Sequence, residues 1–148
     1  MPTIEQSVII NRTVEEIYSF FSSAENHAQF IPGMREVKQT SPGTFAQVGA
    51  TARGVRRDVV IDSEVRYEIT QVEPNKILGM KGIMGPITFD DGYILESMGS
   101  STRVRFWLEL KLPGILKIGN PFMQLVGKTH AWETLTNLKK VLETPKQA

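Results

Sequence analysis

Two long runs of strict alternation constrain this chain more than anything else in it. In the first, Val59, Ile61, Ser63, Val65, Tyr67 and Ile69 share one side, while Asp62, Glu64, Arg66, Glu68 and Thr70 share the other. In the second, Val104, Phe106, Leu108 and Leu110 alternate with Arg103, Arg105, Glu109 and Lys111. Successive side chains of a strand point to opposite faces, so each run predicts a strand with one apolar and one wet face. Antiparallel sheets show this pattern; parallel strands, covered on both faces, read as continuous apolar runs. Trp107 is the one large apolar residue on the wet side. A lone exposed aromatic there is ordinary, and an interface role is the alternative.

The remaining elements arrange themselves around these two strands. Residues 3–10 are rich in β-branched types and predict a first strand. Thr13-Val14-Glu15-Glu16 matches a capping box, in which the threonine hydroxyl accepts from the Glu16 amide and the Glu16 carboxylate reaches back to the Thr13 amide. Val14, Ile17 and Phe21 follow at helical spacing, so a short helix is expected over 14–21. Ser23 is placed to cap a second short helix carrying Ala24, Ala28 and Ile31, stopped by Pro32-Gly33. Shorter strands are expected near 34–40, 47–56, 76–83 and 86–96, separated by turns at Ser41-Pro42-Gly43, Glu73-Pro74-Asn75, Met84-Gly85-Pro86 and Met98-Gly99-Ser100-Ser101. With the first strand this makes about seven strands joined mostly by hairpins.

The chain ends in a helix. Pro113-Gly114 opens a short turn through Ile118, and Asn120 and Pro121 then stand at the cap and first helical positions of a helix over 121–143. At about 100° per residue, Phe122, Leu125, Val126 and Thr129 fall on one face. Ala131, Leu135, Leu138 and Leu142 fall on another, with Trp132 between. A helix on one flat surface keeps one stripe. Two stripes fit a helix held by a curved sheet, its C-terminal half gripping and its N-terminal half bordering a cavity; the alternative is that both halves pack into the core.

Composition narrows the function. The 148 residues carry no cysteine and a net charge of +1, with 22% charged residues of mixed sign. Disulfides, thiolate metal sites and cysteine nucleophiles are excluded, and no field arises that would draw in nucleic acid. The only histidines, His27 and His130, stand far apart in the chain, so no metal set is expected, and no motif calls for a cofactor. No apolar stretch approaches the roughly 20 residues needed to span a bilayer. The start lacks a signal-peptide pattern. One soluble cytoplasmic domain over 1–148 is expected, without stable membrane insertion.

Several stretches carry a family likeness: Val14-Glu15-Glu16-Ile17-Tyr18-Ser19-Phe20-Phe21, Phe30-Ile31-Pro32-Gly33-Met34, Val48-Gly49-Ala50, Tyr67 to Ile77, Ser101-Thr102-Arg103-Val104, and Leu135 to Glu143. In this order they resemble the START/Bet v 1-like (SRPBCC) superfamily, and within it the polyketide cyclase/dehydrase and lipid-transport group. The resemblance implies an α+β helix-grip fold: a seven-stranded antiparallel sheet wrapped around a long C-terminal helix, with two short helices after the first strand. It implies an internal cavity and not a catalytic set, so the function it points to is binding or carrying a hydrophobic small molecule. A cyclase or aromatase using the same cavity is the alternative, and a protein-interaction helper module is a third reading. Ligand identity and oligomeric state are not encoded in these patterns.

The candidate cavity walls are Tyr67, Phe89, Tyr93 and Phe106 from the sheet and Phe122, Val126 and Thr129 from the helix, with Phe30 and Met34 near the mouth. Two polar groups could reach it. Alternation sets Asp91 on the face of Ile87, Phe89, Tyr93 and Leu95, where a buried carboxyl would have a raised pKa and could act as acid or base. A bulge at Gly92 that leaves Asp90 and Asp91 in water is the plainer expectation. His130 follows Val126 on the helix and could shuttle protons; a surface or hydrogen-bonded histidine is the plainer expectation. Arg53, Arg56 and Arg57 read as a solvated convex face paired with Asp58, Asp62 and Glu64, with a ligand-carboxylate clamp as the alternative.

Overall fold

The computed structural model describes residues 4–57, 62–111 and 121–144, with side chains in the last segment from Gln124 onward. Seven strands form one antiparallel sheet in the order β1-β7-β6-β5-β4-β3-β2. They are β1 (Ile4–Ile10), β2 (Met34–Gln39), β3 (Thr51–Arg57), β4 (Asp62–Glu73), β5 (Ile77–Met84), β6 (Ile87–Ser97) and β7 (Thr102–Lys111). Helix α1 (Val14–Phe21) and a 3-10 helix (Ala24–Gln29) follow β1, and the long helix α2 (Pro121–Glu143) ends the fold. This is the helix-grip arrangement. Strands β2 to β7 follow one another as neighbours, and β1 closes against β7 in register from Ile4↔Leu108 to Ile10↔Thr102.

The alternation sets the faces. Val65, Tyr67, Val104, Phe106 and Leu108 are buried, while Arg66 and Arg105 are exposed. A one-residue slip would invert them all. Val59, Ile61, Asp58, the Pro113-Gly114 turn and the Asn120 cap lie outside the described residues. The alternation of β4 breaks once, where the register against β5 shifts between Ile69 and Gln71; such bulges bend a strand and increase its twist. β3 begins four residues later than the pattern from 47 suggests, because Gln47 to Ala50 make a turn in which Gly49 takes a positive φ of 93°.

The two short helices differ in their starts. The Glu16 amide donates to Thr13 Oγ1 at 3.3 Å, and the hydroxyl stands 3.4 Å from the Glu16 carboxylate. The reciprocal leg therefore runs to the hydroxyl and not to the Thr13 amide. Ser23 makes no cap bond; its hydroxyl donates to Glu25 at 3.3 Å, and the segment winds as a tight 3-10 helix. The Asn137 side chain donates to the Phe30 carbonyl, and Lys139 Nζ donates to the Ile9 carbonyl, so the C-terminal half of α2 is tied to both neighbours of the sheet's end.

That end is rich in buried aromatic rings. Phe21, Phe30, Tyr93, Val104, Leu135 and Leu138 are buried in one cluster. Phe21 stacks on Tyr93 with ring centres 4.4 Å apart. His27 is fully buried in an aromatic cage of Phe21, Phe30, Phe45 and Tyr67. Its Nε2 donates to the Phe21 carbonyl at 3.0 Å, which leaves Nδ1 unprotonated and without a partner among the described residues. Phe30, expected near a cavity mouth, is part of this packed end.

Candidate functional site

The expected two-stripe helix turns out to have one inward stripe with two characters. Gly127, Ala131, Thr134, Leu135 and Leu138 are buried, spaced by three and four residues, with His130 half-buried beside them. Leu125 is 62% exposed, Val126 38% and Trp132 57%, and Thr129 is exposed too. The Leu125-Val126-Thr129 stripe therefore faces outward, against the expectation. Its inward counterpart escaped notice because Gly127 and His130 are not apolar side chains. Gly127 lets the helix lie close to β1: a Cβ there would stand 2.3 Å from Ile4 Cδ1, so the Ile4 side chain would have to shift.

Where the inward stripe becomes glycine and histidine, a cavity of about 300 Å³ opens between α2 and the concave sheet. Val65, Met80, Met84, Ile87, Phe89, Phe106, Leu108 and Leu110 give it apolar walls, and Ile31 and Met34 line the side near the 3-10 helix. Of the expected residues, Tyr67, Phe89, Tyr93, Phe106 and Val126 line it, with Asp91 and His130. Val126 sits at its edge, half in solvent. Thr129 does not line it, because at its turn of the helix the inward positions belong to Gly127 and His130. The side chain of Phe122 lies outside the described residues. Gly82 shapes the wall: its missing side chain lets the Phe89 ring lie over β5, where a Cβ would fall 2.3 Å from the ring.

The plainer expectation for Asp91 gives way at this cavity. β6 runs without a bulge, its register unbroken against both neighbours. Asp90 therefore points out, to Lys111 at 2.8 Å, and Asp91 points in. Gly92 serves packing on the outer face: the Trp107 indole lies over Gly92 and Gly79, half-buried, and a Cβ at Gly92 would stand 2.3 Å from it. Asp91 lines the cavity and is largely enclosed by protein. Burial, helped by the charge of Asp90, pushes its carboxyl up to about 8, so it is a carboxylic acid at neutral pH. Its Oδ1 has no partner among the described residues, nor has the buried Tyr67 hydroxyl. Burial and the nearby Asp91 also raise the Tyr67 and Tyr93 phenols.

Arg56 departs from the solvated face expected for its cluster. Arg53 and Arg57 do face outward, 3.9 Å from Glu64 and Asp62. Arg56 shares the inward face of β3 with Ala52 and Gly54 and lines the cavity. The alternation Ala52, Gly54, Arg56 was the signal, hidden because its first two members are small. Arg56 Nη1 donates to His130 Nδ1 at 3.4 Å. A guanidinium has only donors, so Nδ1 must accept and Nε2 carries the histidine proton. Burial, and then the Arg56 charge, lower His130 to about 4. At neutral pH the cavity thus holds a neutral histidine, a neutral carboxylic acid and one guanidinium.

A larger groove of about 570 Å³ crosses the outer face of the sheet. It is open to solvent, and its basic residues are matched: Arg66 to Glu64 at 2.6 Å, Lys81 to Glu68 at 3.6 Å and Lys111 to Asp90 at 2.8 Å. Exposed pairs of this kind contribute little, about 0–1 kcal/mol each. The chemistry lies inside. Among the described residues no group of three or more acidic or histidine side chains could hold a metal, and no helix is long and apolar enough to cross a membrane.

The sequence matches the polyketide cyclase/dehydrase and lipid transport family over residues 1–143. The chain belongs to this family, and through it to the SRPBCC superfamily. Solved structures agree on the fold. A Thermus thermophilus protein, TTHA0849, superposes with a TM-score of 0.78 at 13% identity, over 97% of this chain and all of its own. The Zhui aromatase/cyclase of Streptomyces sp. R1128 gives 0.75 at 9% identity, over 96% of this chain and 93% of its own. The di-domain ARO/CYC BexL of the BE-7585A biosynthetic pathway gives 0.79 at 15% identity, over 97% of this chain and 47% of its own. No curated protein matches the sequence.

Proposed function

We propose that this protein binds a hydrophobic small molecule, such as a lipid, quinone or polyketide-like compound, in the cavity between α2 and the sheet. The observation that carries this reading is the cavity's make-up: apolar walls from five strands, with a few polar groups gathered among them. Sites that bury a small ligand are built this way. Family membership supports it. Native mass spectrometry of protein purified from its own host should show a co-purified ligand. Titration with an apolar fluorescent probe should saturate, and Met84→Trp, which places an indole in the cavity, should weaken the probe about tenfold or more while the protein stays folded. A wild-type protein that binds no probe and carries no ligand would overturn the reading.

One observation favours a second reading, a cyclase-type enzyme. Asp91 holds a proton near neutral pH inside the same cavity, where its acid form faces any bound compound. In that reading a bound carbonyl compound is oriented by the walls and Asp91 supplies the proton. Turnover of a poly-β-ketone mimic should then fall about a hundredfold in Asp91→Asn, the range of a lost general acid. Equal rates in the two proteins would leave binding alone.

A further inference from the structure

The binding reading above leaves the polar end of the ligand unspecified, and the following inference rests on that reading. Tyr67 and Asp91 stand on β4 and β6, both on the concave face, with β5 between them. The β5 residue opposite Tyr67 is Gly82, and the one opposite Asp91 is Met80. Each presents a buried polar atom without a partner among the described residues, although both line one cavity. Buried polar groups are nearly always paired, so two orphans in one cavity point to a group that arrives from outside the chain.

We propose that Tyr67 and Asp91 act together as a donor pair for one acceptor oxygen of the ligand, and so select apolar molecules ending in a ketone-like carbonyl over hydrocarbons and amines.

The direction of the hydrogen bonds follows from the surroundings. Burial keeps Asp91 in its acid form, which has an O–H to give, and the Tyr67 phenol stays protonated beside it. The other polar groups of the cavity lean the same way: Arg56 has only donors, and His130 keeps its proton on Nε2 because Nδ1 faces Arg56. A ligand ammonium is the competing partner for a buried aspartate. It would share the cavity with the Arg56 cation, which already disfavours positive charge on His130.

Three naphthalene probes of nearly equal shape separate the cases: methyl naphthyl ketone, its alkene isostere isopropenylnaphthalene, and naphthylmethylamine. In a cavity without donors the alkene binds best, because it is the least soluble in water. The expected order here is the reverse, with the ketone about tenfold tighter than the alkene and the amine weakest. Infrared spectra of the bound ketone should show its carbonyl stretch moved to lower wavenumber. Tyr67→Phe and Asp91→Leu should each lose most of the ketone preference and of that shift, while Asp91→Asn, whose amide still donates, keeps much of both. If Asp91→Leu fails to fold, Tyr67→Phe and the infrared shift carry the test. Alkene equal to or tighter than ketone, amine tightest, or a ketone preference untouched by both variants would each overturn the proposal while leaving cavity binding intact. Failure of all three probes would instead count against cavity binding itself.

Discussion

The two ends of the concave face are lined alike by the sheet and differently by the helix. At one end Phe21 and Val104 are fully buried in the core together with Leu135 and Leu138. At the other, Phe89, Phe106, Leu108 and Leu110 are as bulky, but α2 offers Gly127 and His130. The cavity therefore does not come from a gap in the sheet. It comes from what the helix omits over its N-terminal turns, while Gly127 keeps that part of the helix close to β1. The sealed end supplies stability and the open end supplies room.

The comparison breaks most visibly if the two ends respond alike to truncation. Leu135→Ala should cost about 2–5 kcal/mol in urea unfolding, as expected when a fully buried leucine leaves a new void. Leu110→Ala, beside space that already exists, should cost about half as much or less. Equal losses would mean that the open end is packed like the sealed one.

Charge sharpens the contrast next. Asp91 has a folded pKa of about 8 against 3.8 for the free side chain. Between those values the folded state holds the extra proton, so this group's contribution is full below about 4 and is lost as pH rises toward 8. Asp91→Asn should therefore stabilise the protein by about 2 kcal/mol or more at pH 8 and by much less at pH 4, read from thermal melts. No gain at pH 8 would show that Asp91 is solvated.

The histidines have the opposite sign. His27 and His130 fall to about 4 from 6.5. The unfolded chain binds more protons between those values, so stability is lost as pH falls from about 6.5 to 4. With two histidines working against one aspartate, the wild type should lose roughly 1 kcal/mol per pH unit in that window, and Asp91→Asn roughly twice that. Stability of the wild type should peak near pH 6.5. A flat profile from pH 4 to 8 would mean that none of the three is buried as described.

The smallest effect belongs to the outward stripe. Thr129→Ala should change stability and probe binding by no more than about 0.5 kcal/mol, as for exposed positions generally. A larger loss of binding would put Thr129 back in the cavity.

The sequence by itself determined the sheet. Period-two alternation in 62–70 and 102–111, the turn residues between strands and the Thr13 cap act over a few residues, and local rules suffice to place them. It also set Tyr67, Phe89, Tyr93 and Phe106 on one face, since each follows from counting along its own strand, whereas the unbroken register of β6 that turns Asp91 inward was not the plainer expectation. Only the tertiary structure decided which side of α2 meets that face. Apolar counting favoured Leu125, Val126 and Thr129, yet the helix turns Gly127 and His130 inward, with Gly127 lying close against Ile4 of β1. The Arg56–His130 contact and the close packing of Trp107 on Gly79 and Gly92 likewise join residues from separate elements. No local pattern encodes such pairings, because the energies that fix them, desolvation and close contact, exist only once the chain has closed around them.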